Sequence, residues 1–186
     1  VHTISVMGLF GKSKDEKAED QFIKGNYLKL CRKYDESIEC YEKAIKLKPQ
    51  NADYWLGKAD TLSAMGQVLA PYWGAKDCYE KAIELSPEDP YIWNNFGSFL
   101  FQPRWYDESI SCFNQAIRFK PEMPEAWINK GRALCYQGNF DESIPCFDAA
   151  ISADSGYSEA WEGKGDALRE LGRDEEAQEC FAEAKE

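Results

Sequence analysis

The sequence predicts an all-α fold, a solenoid of stacked antiparallel helix pairs, and three observations carry the prediction. Trp93, Trp127 and Trp161 recur every 34 residues, with Trp55 standing 38 before the first of them. Four positions after each tryptophan comes a tiny residue: Ala59, Gly97, Gly131 and Gly165. The alanines Ala44, Ala82, Ala116, Ala150 and Ala184 repeat with spacings of 38, 34, 34 and 34. A fixed period of this length marks stacked supersecondary units, each leaning on its neighbour.

Taken in order, an N-terminal tail (residues 1–17) precedes five units at 18–51, 52–89, 90–123, 124–157 and a shortened 158–186. In the tail, Val1–Phe10 is apolar and Gly11–Lys17 reads as a charged linker. The fourth unit shows the design most plainly. Trp127, Gly131 and Leu134 stand at i, i+4, i+7 on one face of a first helix, and Ser143, Phe147 and Ala150 repeat that spacing on a second. Gln137-Gly138-Asn139 is the turn between them, and Pro49, Pro87 and Pro121 close three of the units. Small residues at the eighth and twenty-seventh positions let the helix axes approach. Such a hairpin cannot bury its apolar face alone, so its neighbours must stack on it. The second unit is longer by four residues, at Gln67–Pro71. The last carries Gln178 and Lys185 where others have isoleucine, as a terminal repeat with a wet outer face requires.

Composition narrows the function. The chain of 186 residues has 22 Lys+Arg against 33 Asp+Glu, a net charge of −11, which disfavours nucleic acid and anionic membrane surfaces as partners. No run approaches the ~20 apolar residues of a membrane span. With a single histidine, His2, no His-based triad or zinc site is expected, and neither a catalytic residue nor a cofactor is predicted. Seven cysteines without a CxxC, and no secretory leader pattern, read as a reducing, cytoplasmic setting. Five of them, Cys40, Cys78, Cys112, Cys146 and Cys180, share one repeat position. Equivalent atoms in stacked repeats stand ~10 Å apart, beyond the roughly 7 Å limit of a disulfide, so they read as small hydrophobes. Gly8–Ser13 ends like a phosphate loop but has two residues between its glycines instead of four. Paired acids at Asp35-Glu36, Asp107-Glu108, Asp141-Glu142 and Asp174-Glu175 are expected to cap the second helices and complement their dipoles.

The period and the positions Trp127, Gly131, Leu134, Ser143, Phe147 and Ala150 resemble the tetratricopeptide repeat, and the resemblance covers 18–186. The family's seventh-position leucine is replaced by Lys24, Lys58, Lys130 and Lys164, with Phe96 the exception; a lysine stem can cover apolar surface while its ammonium stays wet. The resemblance implies a right-handed α-solenoid of five units whose first helices line a concave peptide groove. By register the groove positions are Asn26 in the first unit and Leu56 and Asp60 in the second. The third unit supplies Tyr91, Asn94, Asn95, Ser98 and Phe101, the fourth Ile128, Asn129 and Arg132, and the fifth Glu162 and Asp166. The family's two-carboxylate clamp for chaperone C-termini does not carry over. Its five positions, Lys, Asn, Asn, Lys and Arg, would fall in the first register on Phe22, Asn26, Gly57, Tyr91 and Asn95, which lack the lysines and the arginine, and the other two registers lack them as well.

These readings imply a non-catalytic interaction module, an adaptor or scaffold binding a peptide segment of a protein partner. The fifth unit's ten acids and four bases would steer a basic segment towards that end. A second contact edge is expected where the long turn of the second unit meets that of the third, from Val68, Leu69, Trp73 and Trp105. The alternative reading is a homo-oligomer, assembled through that edge or through the tail, with Met7–Phe10 docked in the groove of its own chain or a neighbour.

Overall fold

The computed structural model describes residues 12–66, 72–102 and 104–184. Those residues form ten helices and no strand, an all-α solenoid of helical hairpins. They fall into two compact bodies, Val1–Pro87 and Glu88–Glu186. The first holds α1 (Lys14–Leu30), α2 (Tyr34–Leu47), α3 (Ala52–Gly66) and α4 (Tyr72–Leu85). The second holds α5 (Pro90–Phe101), α6 (Tyr106–Phe119), α7 (Pro124–Tyr136), α8 (Phe140–Ala153), α9 (Ser158–Glu170) and α10 (Asp174–Glu183).

Helix ends follow local chemistry. At α1, Ser13 accepts the Glu16 N–H at 3.1 Å while the Glu16 carboxylate accepts the Ser13 N–H at 2.7 Å, a closed capping box. The helix therefore begins inside the stretch read as a charged linker, and Lys14–Lys17 are helical. The paired acids do not take the capping role expected of them. The N-cap positions of α2, α6, α8 and α10 are Lys33, Trp105, Asn139 and Arg173, none with a side-chain cap bond. The acids sit one step inside, in the first turn, where their charge complements the helix dipole.

The four hairpin turns among the described residues share one geometry. Arg32, Arg104, Gly138 and Gly172 occupy equivalent positions and all have positive φ. In each turn the following N–H reaches back to a leucine carbonyl: Lys33 to Leu28 and Asn139 to Leu134, both at 2.9 Å, and likewise Trp105 to Leu100 and Arg173 to Leu168. This bond closes the helix end in the left-handed manner that glycine favours.

Packing between helices turns on the second-helix aromatic. Tyr41, Phe113 and Phe147 are at most 1 % exposed, each burial being worth about 1.5–3 kcal/mol. Phe147 is wedged against two glycines: a Cβ on Gly131, in its own repeat, would come within 2.9 Å of the ring, and one on Gly163, in the next, within 2.5 Å. Gly25 and Gly57 flank Tyr41 in the same way. Between repeats, the indole N–H of Trp55 donates to Pro49 O at 2.8 Å, Trp127 to Pro121 O at 2.7 Å, and Trp161 to Ser155 O at 3.1 Å. The repeat thus has a hydrogen-bond basis: each of these three tryptophans fastens the end of the repeat before it.

The seventh-position lysines find acids as well as apolar surface. Lys58 pairs with Glu42 and Lys164 with Asp148, both at 2.7 Å and both across a repeat boundary. Lys130, whose counterpart in the preceding repeat is the neutral Asn114, lies 5.5 Å over the Trp127 ring instead.

Candidate functional site

In the first body the register places Asn26 on α1 and Leu56 and Asp60 on α3, all half-buried. Asn26 Oδ1 accepts the Tyr41 hydroxyl at 2.7 Å, and Asp60 Oδ1 accepts that of Tyr79 at 2.8 Å. The Lys29 ammonium stands 3.7 Å from the other Asp60 oxygen. Burial and the Asp60 charge hold the Tyr79 phenol far above its ordinary value, so it remains a donor. These two acceptors thus serve internal tyrosines. The later repeats have Phe113, Phe147 and Phe181 in place of tyrosine, and Ser98, Arg132 and Asp166 at the acceptor position.

The second body carries two clefts. The first, about 190 Å³, is lined by Ser98, Phe101, Gln102, Phe113, Asn129 and Arg132 from α5, α6 and α7. Asn129 Nδ2 donates to Asn94 Oδ1 at 3.1 Å and lies 3.4 Å from Ser98 Oγ, which itself donates to Asn94 O at 3.0 Å. This chain holds the amide of Asn129 at the cleft wall. The second cleft, about 220 Å³, is lined by Arg132, Cys135, Tyr136, Phe147, Glu159, Glu162, Gly163 and Asp166 from α7, α8 and α9. Beneath it lies the fully buried Phe147 ring, packed against Gly163, and the exposed Tyr136 supplies its accessible aromatic surface. Arg132, exposed, borders both clefts, and Asp166 is engaged by Arg169 at 2.7 Å.

Other predicted residues are placed differently. Ile128 is 5 % exposed and packs with Phe147, Ala150 and Ala160, so it belongs to the core and offers a ligand nothing. Asn94 is 8 % exposed and acts through Asn129. Tyr91 is exposed, but its hydroxyl accepts from Lys120 at 2.7 Å, with the ammonium 4.9 Å over the ring. Asn95 is half-buried. Phe101 packs against Tyr106 and Tyr136, with ring centroids at 5.3 and 5.1 Å. Tyr136, 65 % exposed, and Glu159 join the site without having been singled out by register. Of the second edge, Val68 and Leu69 lie outside the described residues, as do Met7–Phe10 of the tail; of Trp73 only the backbone is described, and Trp105 is half-buried at the start of α6.

The cysteine ladder sits in the core, each member 3–5 % exposed. Burial pushes the thiol of Cys112 up to about 12 and raises those of Cys78, Cys146 and Cys180. A thiol so held is a packing group at neutral pH, since only the thiolate is nucleophilic. Among the described residues no group of three His, Cys, Asp or Glu is placed to hold a metal ion, and no helix is long and apolar enough to cross a membrane.

Models of the tetratricopeptide repeat match residues 25–66, 74–89, 90–123 and 128–186. No curated protein matches the chain. Among solved structures, a crystal structure of MamA is 22 % identical, covering 86 % of this chain and 91 % of its own, with a TM-score of 0.76. YrrB, described as a TPR protein with an unusual peptide-binding site, is 22 % identical over 90 % of this chain and 84 % of its own, with a TM-score of 0.69. PilF of Pseudomonas aeruginosa is 18 % identical over 93 % of this chain and 78 % of its own, with a TM-score of 0.82. At these identities the likeness is one of fold.

Proposed function

Because the chain belongs to the tetratricopeptide repeat family, we propose that it is a non-catalytic adaptor that binds a peptide segment of a protein partner across α5, α7 and α9. The observation that carries this reading is the pair of clefts on either side of Arg132. One offers the Asn129 amide and the Ser98 hydroxyl beside an aromatic wall. The other offers the carboxylates of Glu159 and Glu162 beside the exposed Tyr136 ring. An extended peptide places alternate side chains about 6.6–7 Å apart on one face, so neighbouring clefts that each set polar groups beside an aromatic ring suit successive anchors. The peptide-binding site named for YrrB supports the reading by analogy of fold. The acidic lining of the second cleft, within a repeat of net charge −6, favours a ligand with a basic side chain there. A terminal carboxylate is not the proposed ligand.

The test is a selection from a random peptide library on the full chain and on Arg132→Glu and Glu162→Lys variants, both exposed positions. Sequences enriched by the native chain and lost from both variants support the reading. Equal enrichment on all three chains contradicts it.

A further inference from the structure

The helix α1 carries an apolar stripe that nothing in the described residues covers. Ile23, Tyr27 and Leu30 stand at i, i+4 and i+7 and are 59, 66 and 81 % exposed. Their register explains why. The position of Ile23 corresponds to Gly57, Asn95, Asn129 and Gly163 in later repeats, and at both glycines the preceding repeat's aromatic presses in. That of Tyr27 corresponds to Thr61, Phe99, Ala133 and Ala167, all buried. On α1 both positions are large, apolar and exposed, a combination that none of the later repeats has.

We propose that the occupant is the chain's own segment Ile4–Phe10, folded back along α1. Three observations select it. The first is direction. Lys12 forms an ion pair with Asp20, two turns into the helix, and Asp20 lies three and seven residues before Ile23 and Tyr27, on the same helical face. The capping box at Ser13 fixes the entry, so the incoming chain is drawn over the stripe and not away from it. The second is chemistry. Residues 1–11 contain no Asp, Glu, Lys or Arg in a chain that is 30 % charged, and Ile4, Val6, Met7, Leu9 and Phe10 are apolar. The third is size. Asp20 to Leu30 spans about 15 Å of helix, and seven extended residues reach about 23–25 Å, so the segment is long enough to lie on all three side chains. A second copy of the chain is a poorer occupant. Three side chains expose a few hundred Å² at the scale of a single patch, short of the ~800 Å² per partner of a stable interface. A tethered segment needs no such area, because its effective concentration is already of order mM.

The uncovered face of α1 is thereby covered by a pseudo-ligand. The groove across α5, α7 and α9 plays no part in this contact.

The experiment uses the full chain. Cys31, the one exposed cysteine among the described residues, follows Leu30 at the end of the stripe and accepts a nitroxide label. With the label on an isotope-labelled chain, the amide signals of residues 4–10 should be lost to paramagnetic broadening, and should return in the Tyr27→Asp/Leu30→Asp variant, whose changes fall on exposed positions. In a mixture of spin-labelled unlabelled chain and isotope-labelled chain without nitroxide, the same signals should persist. Signals that persist in the first sample overturn the proposal. Broadening that survives the double substitution also overturns it, and broadening in the mixed sample assigns the stripe to a second copy instead.

Discussion

Phe147 lies against Gly163 of the following repeat so closely that a Cβ there would stand 2.5 Å from the ring. A Cβ on Gly131, in the ring's own repeat, would meet the same two ring atoms at 2.9 Å, so the ring is crowded from both helices. The contact sets how closely α9 approaches α8.

Gly163→Ala should accordingly destabilise the protein by about 1–3 kcal/mol, the usual cost of overpacking. Gly66→Ala, at the end of α3 with nothing within 4 Å of the new Cβ, should be neutral or raise stability by up to about 1 kcal/mol. Urea unfolding of the two variants beside the native chain checks both signs. Equal effects would mean that the close approach is not felt.

The tyrosine–acceptor bonds of the first two repeats make a second prediction. Tyr41→Phe removes the bond to Asn26 and should cost about 1 kcal/mol. Asn26→Ala should cost a similar amount, and the double variant little more than either single one, because both changes delete the same bond. Additive losses in thermal unfolding would refute the pairing.

Alkaline pH should weaken the fold. Burial raises the Cys112 thiol from 9.0 to about 12 and lifts Cys78, Cys146 and Cys180 in the same direction. Above 9 the unfolded chain releases these protons while the folded chain retains them, so stability is complete below that pH and falls as pH rises through the window. The slope is at most about 1.4 kcal/mol per pH unit for each thiol. Cys112→Ala should be less stable at neutral pH yet lose less on going alkaline. An unchanged slope in denaturant midpoint against pH would contradict the buried-thiol account.

The ion pair of Lys58 with Glu42 should be weak. The lysine is mostly covered, but Glu42 is 55 % exposed, and pairs of this kind are worth about 0.2–1 kcal/mol. A double-mutant cycle with Lys58→Met and Glu42→Gln should return a coupling in that range that shrinks with added salt. A larger, salt-independent coupling would show that the pair is desolvated.

Much of this architecture was legible in the sequence, because Trp127, Gly131 and Phe147 recur at a fixed period and each does one physical job at every recurrence. The site was legible only in part. Successive residues on a helix point about 100° apart, so a groove register displaced by a single residue counts Ile128 as an anchor when its neighbour Asn129 is the one facing the cleft. The use of Asn26 and Asp60 by Tyr41 and Tyr79 depends on contacts between helices that no local pattern carries. Tyr136 and Glu159 escaped because they line the second cleft from positions that the groove register does not include.

The central claim, that α5, α7 and α9 form a peptide-binding face, is tested most directly by titrating the best selected peptide into isotope-labelled full chain and mapping the amide shifts. The account predicts saturable shifts centred on Ser98, Asn129, Arg132, Tyr136 and Glu162, lost in Arg132→Glu. Shifts confined to the exposed faces of α6, α8 and α10, or shifts that persist in Arg132→Glu, would contradict it.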